Sequence, residues 1–452
     1  MSSSSTDLRG EDFLLGSAVN ALREMPGGGA VFVTSRRGEY TRFAGQRIHQ
    51  PQAIDEVQLM ANAFGPGGQA RVATSRLQAA RWAGAEAAEL ARTMRTSSAV
   101  PPPLAPPAQV QGVTQTWHDS SRAFDAGTRG ALAGLALAAA ARVGAIANGM
   151  FSSVVTELAV ANTAGLRRYV RATEVSLSIL VRKGAGSGFR ADLGRDARAL
   201  GPELMIEEAL RDALATENPQ EVAAGTFDVV LGPLAVGDML SFFHALGFSG
   251  DDLRNGSGAV ARRRGEMVAA PEVCVRDDAN DPTGLPIPFD FEGVDKARVA
   301  MLDRGRVADA VTDLATARAL GVGSSGHAHI GREQAPGPIP ANLIMEPGTA
   351  SEADLIRGIE RGVYISRFHY TRMIDPEKSS FTGVTRDASF RIQDGKLGEA
   401  LKQSRFSEEV FGVLARVDGL GRNLVSQPLM NVWNGSASAP AIRVRGFHLG
   451  FR

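Results

Sequence analysis

The chain has 452 residues, 44% of them hydrophobic and 22% charged, with 49 Lys and Arg against 49 Asp and Glu. That length predicts roughly two or three folded units, and the balanced charge gives no reason to expect nucleic-acid or membrane binding. A single cysteine, Cys274, excludes an internal disulfide framework and a multi-cysteine zinc site. The opening MSSSSTDLRGED is polar and acidic rather than signal-like. The most apolar run, Ala131–Ala141, is too short to cross a bilayer. A cytoplasmic location is expected.

In chain order, Ser17–Met25 reads as part of a first helix, stopped near Pro26 and the glycines that follow. Ala30–Ser35 alternates as a strand does, Arg36-Arg37-Gly38 reads as a turn, and Tyr40–Phe43 as the return strand. Gln58–Ala63 and Ala70–Thr74 flank a second hairpin signal at Gly65–Gly68. Ser75–Arg95, rich in Ala, Glu, Arg and Leu, predicts a long helix. Residues 1–100 thus read as an N-terminal α+β domain. Val100–Pro107 is proline-rich and predicts an extended linker or strap.

Beyond it, Arg122–Met150 is alanine-rich and helical in character. Phe151–Val160 and Arg168–Leu180 read as antiparallel strands around an Asn-Thr-Ala-Gly turn. The Gly184–Gly188 loop leads into a further strand through Ala191. Pro202–Thr216 carries Leu204, Ile206, Leu210 and Leu214 at roughly helical spacing. These elements make residues 108–218 a central α+β domain. The remainder, residues 225–452, is glycine-rich with many short strands, including Pro271–Val275, Arg298–Asp303, Ala388–Gln393 and Ala441–Phe447. The class expected is α+β: antiparallel strands and long helices first, then curved antiparallel sheets or a partial β-barrel.

Phe227–Leu231 is a short β-rich run that meets Gly232-Pro233, and the apolar stretch Met239–Leu246 then has helical character. Strand, tight loop and helix is a common mount for a reactive group. With it stand Arg42–His49 (RFAGQRIH), Asn342–Gly348 (NLIMEPG), Leu355–Tyr364 (LIRGIERGVY), Phe381–Asp387 (FTGVTRD) and Phe390–Lys396 (FRIQDGK). In this order the segments resemble the TldD/PmbA family. In the family's catalytic TldD branch the strand–loop–helix carries His-Glu-x-x-x-His, whose histidines hold zinc and whose glutamate is the general base.

Aligned without gaps from Val229, the first His falls on Ser241, the Glu on Phe242 and the second His on Leu246. The branch's third ligand, a cysteine near the C-terminus, falls on Leu420 in Val417–Arg422. Phe and Leu have no lone pair to give, and a serine hydroxyl is a poor zinc ligand at neutral pH. His244 lies between the ligand positions, aimed elsewhere by the helical turn. The resemblance therefore implies the TldE/PmbA-like, non-metal-binding subunit of a heterodimeric zinc metallopeptidase. It implies no cofactor in this chain, zinc in a TldD-like partner, and a role here in shaping the chamber for peptides or peptide-like amides. The competing expectations are a stand-alone homodimeric protein that binds a peptide or small molecule, and an enzyme with relocated chemistry.

Relocated chemistry has two candidate locations. Asp290 and Glu292, in Pro288–Val294, would share one side of a strand and suit acid–base work or a hard cation. A similar Asp-x-Glu-Gly segment in family members with and without metal points instead to a structural role, accepting loop N–H groups around Gly293. His327 and His329 would also share a face and could chelate, but zinc wants a third protein ligand, for which only Glu333 is at hand. Groove lining, partner contact and a solvated loop are the other readings of that pair. His49 reads as a solvated strand histidine.

Overall fold

The computed structural model describes residues 8–66, 68–94, 103–107, 115–329, 337–430 and 432–450. Val100–Pro102 of the expected linker, Arg95 of the expected helix and Glu333 lie outside the described residues.

The first half is built on one sheet. Helix α1 (Glu11–Leu22) precedes the long strands β1 (Gly29–Ala44) and β2 (Arg47–Gly65), then β3 (Gly68–Thr74) and helix α2 (Ala80–Thr93). A short helix α3 (Asp119–Arg122) leads to α4 (Ala126–Arg142), β4 (Ile146–Asn162), β5 (Arg167–Lys183), β6 (Gly186–Gly194) and α5 (Pro202–Ala215). The six strands form an antiparallel sheet ordered β3-β2-β1-β4-β5-β6. β1 pairs β4 from Ala30↔Asn162 to Phe43↔Gly149, so segments 1–100 and 108–218 share this sheet.

The turn expected at Arg36–Gly38 is absent, and β1 runs straight through it. Gly38 marks a close approach instead: a Cβ there would sit 2.8 Å from Val154 Cγ2. The chain reverses at Gly45 and Gln46, both with positive φ (56° and 65°), as a two-residue hairpin of the favoured hand requires. The expected helix through Met150 ends at Arg142, and Ile146–Met150 belongs to β4.

Strand alternation sends the two sheet faces to different partners. Val31, Val33, Ala159 and Ala161 pack with α1 and α2, and Phe151, Val175, Leu177 and Ile179 pack with α4 and α5. Phe32, Leu158, Val160 and Ala172 point the other way, onto Phe289 and Phe291 of the second half. Helices thus cover one face, and the C-terminal half covers the other.

That half begins with β7 (Gly225–Leu231), α6 (Pro233–Leu240) and α7 (Gly250–Asn255), then β8 (Val275–Asp277), β9 (Val299–Asp303), β10 (Arg306–Val307) and α8 (Leu314–Leu320). β11 (Ala328–His329), β12 (Gly337–Pro338), β13 (Asn342–Met345) and α9 (Glu352–Arg357) follow. The last run is β14 (Arg361–Asp375), β15 (Ser380–Gln393), β16 (Lys396–Ala400), β17 (Arg405–Glu409), α10 (Val410–Ala415), β18 (Val417–Leu420), β19 (Val425–Pro428), β20 (Ser436–Ala439) and β21 (Ile442–Leu449).

One sheet is ordered β16-β15-β14-β7-β21-β18 with β17 added on β15, and a second is ordered β10-β9-β8-β13-β20-β19. Most pairs are antiparallel; β14·β7 and β13·β20 are parallel. Among the described residues the sheets stay open, with no closed barrel, and the class is α+β. Helix α6 contacts β14 of one sheet and β19 and β20 of the other. The largest apolar core, from Val229 and Leu231 through Met239 and Phe243 to Val444, joins both sheets around it.

Candidate functional site

Gly232 and Pro233, read from the sequence as a tight loop, instead open α6, with Gly232 as its N-cap and proline at the first helical position. The helix lies earlier in the chain than the expected Met239–Leu246: it ends at Leu240, with Ser241 as its C-cap, and Phe243–Ala245 form a separate 3-10 turn. Ser241 Oγ donates back to the Gly237 carbonyl at 3.0 Å, a bond that competes with continued helix. Gly247, at φ 108°, then turns the chain away. Ser241, Phe242 and Leu246 therefore do not lie on one helical face.

Phe242 is 7% exposed, while Phe243 and Leu246 are fully buried. Phe243 stacks on Phe248 with centroids 5.0 Å apart, and Phe242 meets Phe381 at 5.9 Å. His244 Nδ1 lies 2.7 Å from the Ser241 carbonyl. Leu420 sits in β18 opposite Ile442, half-buried against the apolar core. These groups do not fit a zinc ion. Among the described residues no three His, Cys, Asp or Glu side chains converge as a metal site.

Ser241, Phe242 and His244 instead edge a cavity of about 1110 Å³, which Leu246 and Leu420 do not line. Met150, Ser176, Ser178, Phe189 and Asp192 form its floor on the N-terminal sheet; Leu234 and Asp238 of α6, Arg367–Met373 of β14, and Ser426–Pro428 of β19 form its walls. Drug-sized ligands are typically held in volumes of about 300–1,000 Å³. β14 breaks register between Ile365 and Arg367 and again between His369 and Arg372. Tyr370, within the second irregularity, has φ 56° and is 73% exposed at the cavity mouth. Bulges of this kind re-aim side chains beside functional sites.

The cavity's charged groups went unnoticed in the sequence. Asp192 Oδ1 accepts the N–H of Ser426 at 3.0 Å and of Leu193 at 2.9 Å. Asp238 Oδ1 accepts from Gln427 Nε2 at 3.0 Å; a Cβ on the adjacent Gly237 would meet that amide at 2.8 Å. Burial pushes Asp192 up to about 6 and Asp238 up to about 6, the latter against the Gln427 bond and the Arg367 charge. Arg367 binds Asp387 at 2.5 Å and lies 4.0 Å over the Phe189 ring. Burial and the neighbouring Arg386 and Arg367 lower the pKa of His369. The available signal was Asp238 itself, a charge inside the apolar run Leu234–Phe243.

Asp290 and Glu292 are on a turn, not a strand face. Asp290 Oδ1 accepts the N–H groups of Glu292 and Val294, each at 2.9 Å, and Oδ2 accepts that of Ala328 at 2.8 Å. Glu292 caps α8 through Leu314 N–H at 2.9 Å. Burial, and then the Asp290 charge, raises the Glu292 pKa.

His327 and His329 face different partners. His327 Nε2 lies 3.0 Å from Asp277 Oδ1, both side chains fully buried. His329 Nε2 accepts the Trp433 N–H at 3.1 Å, and its ring packs edge-on against Phe291. Burial, then the Lys296 charge, pushes His329 down to about 4. Glu292 and His329 edge a smaller cavity of about 270 Å³ beside Phe32 and Arg71, apart from the large one; Asp290 and His327 line neither.

This architecture defines a class: an α+β protein in which a short helix between two open sheets walls an interlayer cavity. Residues 224–450 match the family model described as PmbA/TldA metallopeptidase C-terminal domain, and residues 126–217 match the corresponding central domain. The chain belongs to the TldD/PmbA metallopeptidase family. It is similar to a metalloprotease of Methanothermobacter thermautotrophicus, 31% identical over 241 residues, which are 53% of this chain and 51% of that protein. It is also similar to a metalloprotease TldD homolog of Haemophilus influenzae, 29% identical over 275 residues, covering 56% and 55% of the two chains. The chain thus spans about half the length of the curated relatives it matches. The solved structure of TldE from Thermococcus kodakarensis superposes with a TM-score of 0.87 at 18% identity, over 97% of this chain and 100% of that one. At that identity the likeness is one of fold.

Proposed function

We propose that this chain is the TldE-like, non-metal-binding subunit of a heterodimeric, cytoplasmic zinc metallopeptidase. A TldD-like partner carries zinc and general base, and this chain shapes the chamber that admits peptides or peptide-like amides. The observation that carries the reading is the fate of the motif positions. Ser241 caps α6 and bonds its backbone, Phe242 and Leu246 join the core, and the cavity beside them persists. A fold that keeps such a cavity while its donor positions serve packing is suited to holding a substrate that another chain cuts.

The test is assembly. Mixed with a TldD-like chain that carries His-Glu-x-x-x-His, this chain should run as a stable one-to-one heterodimer by native mass spectrometry. A chain that forms only homodimers at the same concentration supports the stand-alone binding protein instead.

A further inference from the structure

We propose that the smaller cavity binds a compact α-hydroxy or α-amino acid, with its carboxylate between Arg71 and His329 and its α-donor on Asn62. The inference needs only this chain's own residues and stands apart from the partnership proposed above. The cavity lies in the seam between the two halves. Asn62 of β2 and Arg71 of β3 pair directly opposite one another, so both side chains leave the same face of the N-terminal sheet, and both line the cavity. From the C-terminal half, the Phe291 N–H donates to the Ala328 carbonyl at 3.3 Å, which sets His329 beside the turn that carries Glu292. His329 and Glu292 line the same cavity. Arg71 and Glu292 each feel the other's charge, so the two walls face one another across it.

Three groups on these walls lack partners. Arg71 makes no hydrogen bond or ion pair with any described residue. His329 Nε2 accepts the Trp433 N–H, so in the neutral ring Nδ1 carries the hydrogen, and that N–H has no acceptor among the described residues. Asn62 Oδ1 likewise has no donor. One cation, one N–H donor and one acceptor are the complement of a carboxylate with a hydroxyl or ammonium on the next carbon.

The protein's own carboxyls leave the Arg71 charge to a ligand. Asp313 Oδ1 accepts from the N–H and Oγ1 of Thr316, each at 2.7 Å, and Asp251 pairs with Arg254 at 2.9 Å. Glu292 takes the Leu314 N–H, and burial with the Asp290 charge favours its protonated form. Phe32, Phe64 and Phe291 supply apolar wall for one ring or branched chain. A volume of about 270 Å³ falls below the range of about 300–1,000 Å³ usual for drug-sized ligands, so the site suits a single small acid rather than a polypeptide.

The test is a fluorine NMR titration of the full chain with four probes. These are para-fluoromandelate, para-fluorophenylglycine, para-fluorophenylacetate, which lacks the α-donor, and para-fluorobenzyl alcohol, which lacks the carboxylate. The better of the first two identifies the α-group. It should bind at least about tenfold more tightly than the alcohol, and about threefold or more tightly than phenylacetate. Arg71→Met should weaken that probe by about tenfold and leave the alcohol unchanged. Ala315→Trp, at an exposed position on the cavity rim, should weaken every probe by obstructing entry, and assigns the site even if the Arg71 variant fails to fold. An alcohol or phenylacetate that matches the better acid, no binding of any probe, or unchanged binding in either folded variant overturns the proposal.

Discussion

Asp238 is the least comfortable residue of α6, a carboxylate among Leu234, Ala235, Val236, Met239 and Leu240. Its folded pKa of about 6 lies above its ordinary 3.8, so the folded chain binds the extra proton. Its relative stabilisation is fully present below about pH 4 and is lost as pH rises through about 6. Asp238→Asn should therefore raise stability by about 1–3 kcal/mol near neutral pH and give no gain near pH 4, read by urea unfolding at both values. Equal effects at the two pH values would contradict this. Asp277 has the opposite sign. Burial alone would raise it, but the His327 charge and N–H donors hold it at about 2. Its contribution is present above about pH 4 and lost as pH falls through about 2. His327→Ala should cost about 3–5 kcal/mol at neutral pH by leaving that carboxylate buried without its partner. A loss of less than about 1 kcal/mol would show that Asp277 needs no imidazole.

At the scale of elements, α6 shows how far the sequence could be read. Its start was missed, because Gly232-Pro233 reads as a tight loop although proline suits a first helical position, while β7 alternates as its residues suggest, with Val229 and Leu231 in one core and Val230 in another. Its end was hidden, because Met239–Leu246 is apolar enough to continue a helix. A serine back-bond, the Phe243–Phe248 stack and the positive φ of Gly247 stop it, and all three depend on packing rather than periodicity. Gly38 failed for the same reason: a glycine that reads as a turn sits where Val154 presses on the strand.

The broken helix makes a prediction. The combined change Ser241→His, Phe242→Glu and Leu246→His should not restore zinc, since Leu246 points into the core and Leu420 is not on the cavity wall. The triple variant, dialysed against zinc, should hold well under one metal per chain and lose stability. Stoichiometric zinc would mean that the helix can re-form. Phe243→Ala, fully buried in the same core, should cost about 3–5 kcal/mol in chemical denaturation; a cost under about 1 kcal/mol would deny the turn its packing role.

Across the whole molecule, one division of labour recurs. The six-stranded sheet packs four longer helices, α1, α2, α4 and α5, on one face and floors a cavity on the other. The two C-terminal sheets hold α6 between them as a wall. The α+β class, α5 and the β4–β5 hairpin were legible because local pattern decides them. The shared sheet of β1 and β4 and the placing of Asp192 and Asp238 on one cavity were not, because each joins residues far apart in the chain with no spacing rule between them.

The central claim is that this chain contributes a chamber while reactivity belongs to a companion. It is tested most directly by measuring zinc content and cleavage of an unfolded polypeptide for the chain alone, for a TldD-like chain alone and for their mixture, with and without chelator. The account predicts no bound zinc and no cleavage for this chain alone, and chelator-sensitive cleavage by the mixture. Chelator-sensitive cleavage by this chain alone, with one zinc bound to it, would contradict the account.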